Sequence, residues 1–307
     1  MAHPVEEKRR RIESRGRIRE FIFGIQDGLI STVGLLAGMQ ACGQPWTHAT
    51  ALATTDSTQA ALRRWFATAP PRDLGWRAVA AAKQTAGRGR NGAAWLAEAG
   101  EALLLSVGGP LLLAPERWSR LSLAAGLAVR DVLQRRTECE LWCKWPNDIV
   151  VLQGGPPRKL AGLLCERVGG PCADPLWLCG VGVNVSAAPP DAALNLPACH
   201  LREISSTTAN LDVLELAIEC ATAIRAAVDE FVHRGGALDI VRLEQHLAFC
   251  GRAVQLDLGV RDGLRWLRLD GLDPSGELRG RWLDHSGEPG EFASVSPLCI
   301  AAVSPDA

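Results

Sequence analysis

The sequence predicts an α+β protein: a mixed sheet packed with helices, followed by a small β-barrel. Three observations carry this expectation. First, 307 residues suit about two domains with a sizeable core. Second, strand-like apolar runs alternate with two amphipathic helical patterns up to about Phe249. Third, the texture after Gly251 becomes all-β, with Asp-Gly, Ser-Gly and Pro-Gly turns at short intervals. The domains expected are therefore an N-terminal extension at 1–44, a larger unit of strands and helices at 45–249 and a C-terminal barrel at 250–307. Composition is that of an ordinary globular chain, 47% hydrophobic and 22% charged with a formal net charge of −1. That balance argues against a chain-wide nucleic-acid binder, which needs a basic excess.

The extension opens with the dense charged run "EEKRRRIESRGRIRE", followed by the apolar stretch Phe21 to Cys42. This stretch approaches the roughly 20 residues needed to span a bilayer, but Gln26 and Asp27 interrupt it. The setting of Phe23, Gly24, Asp27, Gly28 and Leu29 resembles the opening of the first transmembrane helix of the vacuolar iron transporter family. The resemblance stops after about twenty residues. The segment therefore reads as a fusion remnant, with a membrane anchor at 21–42 as the alternative to a cytoplasmic chain.

From Gln44 the elements follow in order. "DSTQAALRRWFATAP" places Asp56 or Ser57 before a short helix that Pro70 ends. "WRAVAAAKQ" and "EALLLSVGG" read as strands entering and leaving a glycine-rich loop. "APERWSRLSLAAGLAVRDVLQRR" sets Leu121, Ala125, Ala128 and Val132 on one helical face. The strands "ELWCKW", "DIVVLQ", "KLAGLLCERV" and "LWLCGVGVNV" come next, with "GGPP" as the turn between the second and third. A long helix turns Leu214, Ile218, Ala221, Val228 and Phe231 inward and stops at Gly235-Gly236. A shorter helix covers about Ile240 to Phe249. "AVQLDL", "LRWLRLDGL", "GELRGRWL" and "EFASVSPL" then supply a barrel of about five strands. The 10 Cys show no Cys-x-x-Cys pair, so they read as small hydrophobes and reduced thiols with no metal site.

"KQTAGRGRNGAAW" matches the Gly-x-Gly-x-x-Gly spacing through Gly87, Gly89 and Gly92. A dinucleotide turn needs a helix after the glycines and an acid about 20 residues on; "AAWLAEAGEALLLSV" is too short for the helix and the acid is missing. Arg88 and Arg90 instead suggest a flexible loop that places guanidinium forks around an anion. Lys144 in "CKWPND", Lys159 in "KLAGLLCE" and the glycines of "GVGVNV" also fall at strand ends. Together they describe an anion site with no nucleophile apparatus and no Gly-x-x-x-x-Gly-Lys-Ser/Thr phosphate loop.

The order Ser-Thr, Gly-Arg-Gly-Arg-x-Gly-x-x-Trp, Lys-Trp-Pro-Asn-Asp, Lys-Leu-Ala-Gly and Gly-x-Gly-x-Asn resembles the biotin protein ligase family over about Thr54 to Pro297. The resemblance implies a biotin/lipoate ligase-like catalytic domain with an SH3-like C-terminal barrel. It implies that biotin is activated by ATP as biotinyl-5′-AMP and passed to a lysine of a biotin carboxyl carrier domain, with Mg²⁺ accompanying ATP. By the same resemblance, Lys144 and Arg88 are the catalytic candidates. Lys144 neutralises the biotin carboxylate and the α-phosphate, and Arg88 and Arg90 close the loop over the adenylate with Gly87, Gly89 and Gly92. Ser57, Thr58 and Gln84 bind the biotin head group, and Trp95 stacks near the adenine. Lys159, Gly162 and Leu163 line the biotin pocket, Asn147 and Asn184 the nucleotide side, Gly182 is a further binding residue, and Asp148 serves either as a magnesium ligand or as the cap of its turn.

The sequence departs from the family at Asn91, Ala93 and Ala94, where further basic residues are common. It departs again at Ala293 to Ile300, which lacks a Glu and an Arg that contribute to ATP binding. No helix-turn-helix pattern resembling the repressor-type members precedes the ligase motifs, which implies no nucleic-acid partner. Homodimerisation is left open. The rival readings are a lipoate–protein ligase of the same fold and a membrane-tethered, degenerate ligase.

Overall fold

The computed structural model describes Met39 and residues 46–305, apart from 71–74, 112, 154, 170–174, 191–195, 207–210, 259–262, 285 and 297–301. Apart from Met39, the apolar stretch 21–42 thus lies outside the described residues, as does most of "SPLCI".

The main sheet has seven strands: β1 (His48–Leu52), β2 (Arg77–Ala81), β3 (Ala102–Pro110), β4 (Leu141–Lys144), β5 (Asp148–Val151), β6 (Arg158–Gly169) and β7 (Pro175–Asn184). Their order is β1-β2-β3-β7-β6-β5-β4, with β1 and β2 parallel and every other pair antiparallel. The sheet is therefore mixed, as expected. β1 was not expected, because "HATAL" contains one β-branched residue and little apolar bulk to mark it as a strand. Pairing with β2 decides its state.

Among the described residues three helices pack on this sheet, α1 (Thr58–Ala67), α2 (Leu121–Gln134) and α3 (Val213–His233), while the short α4 (Ile240–Gln245) packs on a strand of the second sheet, Leu264–Leu272. Asp56, not Ser57, serves the backbone at the start of α1, accepting from Ser57 N at 2.8 Å. Its carboxylate, held by a bidentate Arg64, lies well below the usual range. Ser57 is the N-cap by backbone but spends no side-chain bond there.

Three helical expectations shift. Residues 115–120 form a 3-10 turn ahead of α2, with Pro115 at its start. The buried face of α3 centres on Leu216, Cys220 and Ile224, leaving Leu214 and Ile218 half-buried at its edge. The last helix ends at Gln245 rather than Phe249. The stop at Gly235-Gly236 stands: both adopt left-handed φ values, 64° and 83°, and their N–H groups return to Val232 O and Phe231 O.

The second sheet holds five strands, β8 (Ala253–Asp257), β9 (Leu264–Leu272), β10 (Leu278–Leu283), β11 (Pro289–Val295) and β12 (Ala302–Pro305), in the order β11-β10-β9-β8-β12. Val254, Leu256, Leu267, Leu269 and Leu278 face inward and join the same hydrophobic core as the main sheet. The turn between β9 and β10 reaches into the first unit. A Cβ at Gly276 would come within 2.7 Å of Leu123 and 2.8 Å of Leu238, and φ there is +83°.

Buried thiols behave as expected for small hydrophobes: burial pushes Cys143, Cys199 and Cys220 up to about 12. Among the described residues no helix is long and apolar enough to cross a membrane.

Candidate active site

A cavity of about 760 Å³ opens over the middle of the main sheet. Its lining contains Ser57, Thr58, Gln84, Arg88, Gly89, Arg90, Gly92, Trp95, Lys144, Asn147, Asp148, Lys159, Gly162, Leu163, Gly182 and Asn184. Of the predicted residues only Gly87 is outside it. Gly87 instead supports the wall, since a Cβ there would meet Gln84 Nε2 at 2.8 Å and Trp95 O at 2.9 Å.

One end of the cavity is a polar pocket at the start of α1. Gln84 Oε1 accepts from Thr58 N at 2.7 Å and from Thr58 Oγ1 at 3.0 Å. Thr58 Oγ1 also lies 2.8 Å from Ser106 Oγ. Gln59 is buried beside them and donates to Leu164 O at 3.2 Å. A Cβ at Gly180 would reach within 2.4 Å of Gln59 Oε1, so a larger residue there would push the Gln59 amide out of its present position. Gln59 and Ser106 were missed in the sequence, whereas Gly180 was noticed only as one of the glycines of "GVGVNV". Ser106 carried a signal, being the one polar residue within the run "ALLLSVGG".

The other end is cationic. Lys144 ends β4, and the turn through the cis Trp145–Pro146 bond leads to Asp148 at the start of β5. Lys159 Nζ is 2.7 Å from Asp148 Oδ1, and Lys144 Nζ is 3.7 Å from Asp148 Oδ2. Arg90 Nη1 reaches Asn147 Oδ1 at 3.5 Å. Three cations therefore surround one carboxylate. Burial above all pulls the Lys144 ammonium below its ordinary range; Asp148 counters this, and Lys159 and Arg90 add to it. Burial also disfavours the Arg90 charge, though a guanidinium stays protonated in proteins. An incoming anion would relieve both.

The turn that carries these groups is tightly held. Asn147 donates from Nδ2 to Leu163 O and accepts from Leu163 N, both at 2.8 Å. Trp145 is buried in the core and donates to Gly276 O at 3.0 Å, which ties the turn to the second sheet. Asn184 is buried and spends its amide on Cys199 O at 3.0 Å and Lys159 O at 3.4 Å.

The glycine-arginine segment is a hairpin closed on itself rather than an open loop. Trp95 N donates to Gly87 O at 3.0 Å and Gly89 N to Ala93 O at 2.7 Å, around a 3-10 turn at Arg90–Gly92. Asn91 and Gly92 take left-handed φ values of 54° and 76°. No helix follows, and β2 and β3 are antiparallel, so the dinucleotide geometry is absent. Arg88 is exposed at the rim and Arg90 half-buried. Trp95 lies across the floor: a Cβ at Gly182 would sit 2.4 Å from its ring, and Lys159 Nζ is 5.6 Å from the ring centroid. Its indole Nε1 is buried and meets no acceptor among the described residues. Asp257, from the end of β8, completes the lining from the second sheet.

Residues 52–184 match the Biotin/lipoate A/B protein ligase family. A biotin–[acetyl-CoA-carboxylase] ligase of Mycobacterium tuberculosis is 41% identical over 158 residues, covering 49% of this chain and 55% of the relative. The bifunctional ligase/repressor BirA of Escherichia coli is 32% identical over 196 residues, covering 64% and 58%. The chain thus spans little more than half the length of these curated relatives. Among solved structures, the biotin protein ligase from Aquifex aeolicus in complex with biotin and ATP superposes with a TM-score of 0.65 at 24% identity, over 84% of this chain and 99% of that one. The segment that builds the cavity is therefore similar in sequence to the biotin/lipoate ligase family, and the fold around it is that of a solved biotin protein ligase.

Proposed function

We propose that this chain is a biotin protein ligase. In the first step a biotin carboxylate oxygen attacks the α-phosphorus of ATP, the bond to the β-phosphate bridging oxygen breaks, and biotinyl-5′-AMP and pyrophosphate form. In the second step a neutral lysine amine of a biotin carboxyl carrier domain attacks the acyl carbon, AMP leaves, and the amine's proton is released. The convergence of Lys144, Lys159 and Arg90 beside a glycine-floored cavity carries this reading. The first step brings two anions together, and preorganised cations in a buried site stabilise the charge where they meet.

Lys144 is the central cation. Thr58, Gln84 and Ser57 form a donor and acceptor pocket suited to the biotin ring system. Lys159, Gly162, Leu163 and Gly182 border it. Trp95, with Arg88, Arg90 and Gly87 to Gly92, covers the adenylate side and keeps water from the anhydride. Asn147 and Asn184 fix the wall by their backbone bonds. The domain division at 1–44, 45–249 and 250–307, with an SH3-like second sheet, belongs to the same reading.

Magnesium is expected to arrive with ATP. The described residues contain no group of three or more His, Cys, Asp or Glu arranged to hold a metal, and Asp148 is engaged by two lysines. They do not fit a protein-held ion, so no step is assigned to one here.

Pyrophosphate exchange into ATP, measured with biotin and lipoate side by side, tests the reading. Exchange is expected with biotin and not with lipoate. Exchange with lipoate alone would transfer the assignment to lipoate–protein ligase, and exchange with neither would leave the degenerate reading.

A further inference from the structure

The outer face of the second sheet carries a patch that the fold itself does not explain. Along β9, Leu267 and Leu269 are buried while Leu264, Trp266 and Arg268 alternate with them toward the outside. Register places Arg281 of β10 opposite Arg268, and Phe292 of β11 opposite Arg281. Two guanidinium groups thus stand as direct cross-strand neighbours, an arrangement that opposes sheet formation. Among the described residues neither arginine has a carboxylate partner; Arg281 instead stacks on Phe292, 4.1 Å from its ring centroid. Phe292 and Leu264 are 69% and 64% exposed, among the most exposed large apolar side chains described. Glu291, next to Phe292 on β11, belongs to the opposite face by alternation.

This patch runs into the catalytic cavity. Leu264 pairs directly with Asp257, and Asp257 lines the cavity. Across the mouth, Leu96 lines the same cavity and is 44% exposed. At the far end the face is closed by α4, where Glu244 accepts from Leu272 N and contacts Arg279. The open stretch is therefore bounded: two arginines flanked by apolar side chains lie between Asp257 at the cavity edge and Asp270 further along β9, and it borders the entrance that an acceptor lysine must use.

We propose that Leu264, Arg268, Arg281 and Phe292, with Leu96 across the mouth, dock the protein that receives the activated acyl group. The complementary partner is a small domain that presents carboxylates and apolar side chains around its target lysine. The arginines steer its approach by charge, and Leu264 and Phe292 supply the apolar contact. This proposal rests on the ligase reading, and it locates the partner on a face outside the cavity.

The test uses the full chain and a biotin carboxyl carrier domain as probe. Two reactions are compared: biotin-dependent exchange of pyrophosphate into ATP, which needs no acceptor, and transfer of biotin to the carrier. In the variants Arg268→Glu/Arg281→Glu and Leu264→Ser/Phe292→Ser, exchange is expected at the unsubstituted rate. Transfer is expected to fall about tenfold through KM for the carrier, and the charge variant is expected to lose most of the salt dependence of transfer. Equal KM and equal salt dependence in all three proteins would overturn the docking proposal while leaving the ligase reading intact. Failure of exchange in the unsubstituted chain would overturn both. Tight binding of a single-stranded oligonucleotide, lost in the charge variant with carrier KM unchanged, would assign the face to nucleic acid instead.

Discussion

The two walls of the cavity are built on opposite principles. The turn from Lys144 to Asp148 is fixed from several sides. Cys143 exchanges backbone bonds with His246 and Ala248, Trp145 bonds to Gly276, Asn147 makes two bonds to Leu163, and Asp148 holds two lysines. The hairpin from Gly87 to Trp95 is bonded mainly to itself, and it meets the opposite wall through Arg90 to Asn147 at 3.5 Å and through Trp95, which lies under the Lys159 ammonium. A fixed wall suits charges that must be preorganised, because no reorganisation is then needed when the reaction occurs. A self-contained hairpin suits a cover that opens for substrates and closes over an intermediate without disturbing the sheet.

Substitutions in each wall should separate these roles. The largest effect is expected for Lys144→Ala, which removes a preorganised cation from the fixed wall. Biotin-dependent pyrophosphate exchange should fall by roughly 100- to 1,000-fold, and near-normal exchange would remove Lys144 from the chemistry. Its acid–base behaviour gives an independent measure. The useful form is the protonated ammonium, and burial has lowered its pKa from the ordinary 10.5. Exchange should therefore decline as pH rises through that lowered value, before an ordinary lysine would lose its proton. Lys144→Arg should retain part of the activity and move the alkaline limb upward, because guanidinium does not deprotonate in this range.

A smaller effect is expected from Trp145→Phe. The six-membered ring is kept, but the pyrrole part is lost from the core and Gly276 O loses a buried donor, the latter alone costing about 1–3 kcal/mol of stability. This should register as a lower midpoint in urea unfolding and as weaker exchange through misplacement of Lys144. An unchanged midpoint would show that the tie to the second sheet is dispensable. The smallest effect on exchange is expected from Arg88→Gly, in the exposed part of the hairpin. There the change should appear as escape of the adenylate, measured as biotin on lysines of a bystander protein. Unchanged selectivity would argue that the hairpin does not act as a cover.

The cationic character of the site was legible because its residues are local signatures. Lysines follow or open short apolar runs, and arginines alternate with glycines in a segment too short for a crossover helix. β1 and the burial limits of α3 were less legible. "HATAL" carries little intrinsic strand preference, and α3 shows a broad apolar surface from which neighbours select the buried strip. Gln59 escaped notice, and its pairing with Gly180 was not legible, because the two meet across more than a hundred residues of chain.

The sequence by itself determined most of the element types, the all-β character of the last segment and the residues that carry positive charge into the site. These follow from periodicity, turn chemistry and side-chain identity, which act over a few residues. Only the tertiary structure decided that Lys144 and Lys159 share Asp148, that Trp95 lies on Gly182 and that Asp257 of the second sheet completes the cavity. Those relations depend on sheet register and on how two sheets pack around one core. Register and packing are set by long-range contacts that no local pattern encodes.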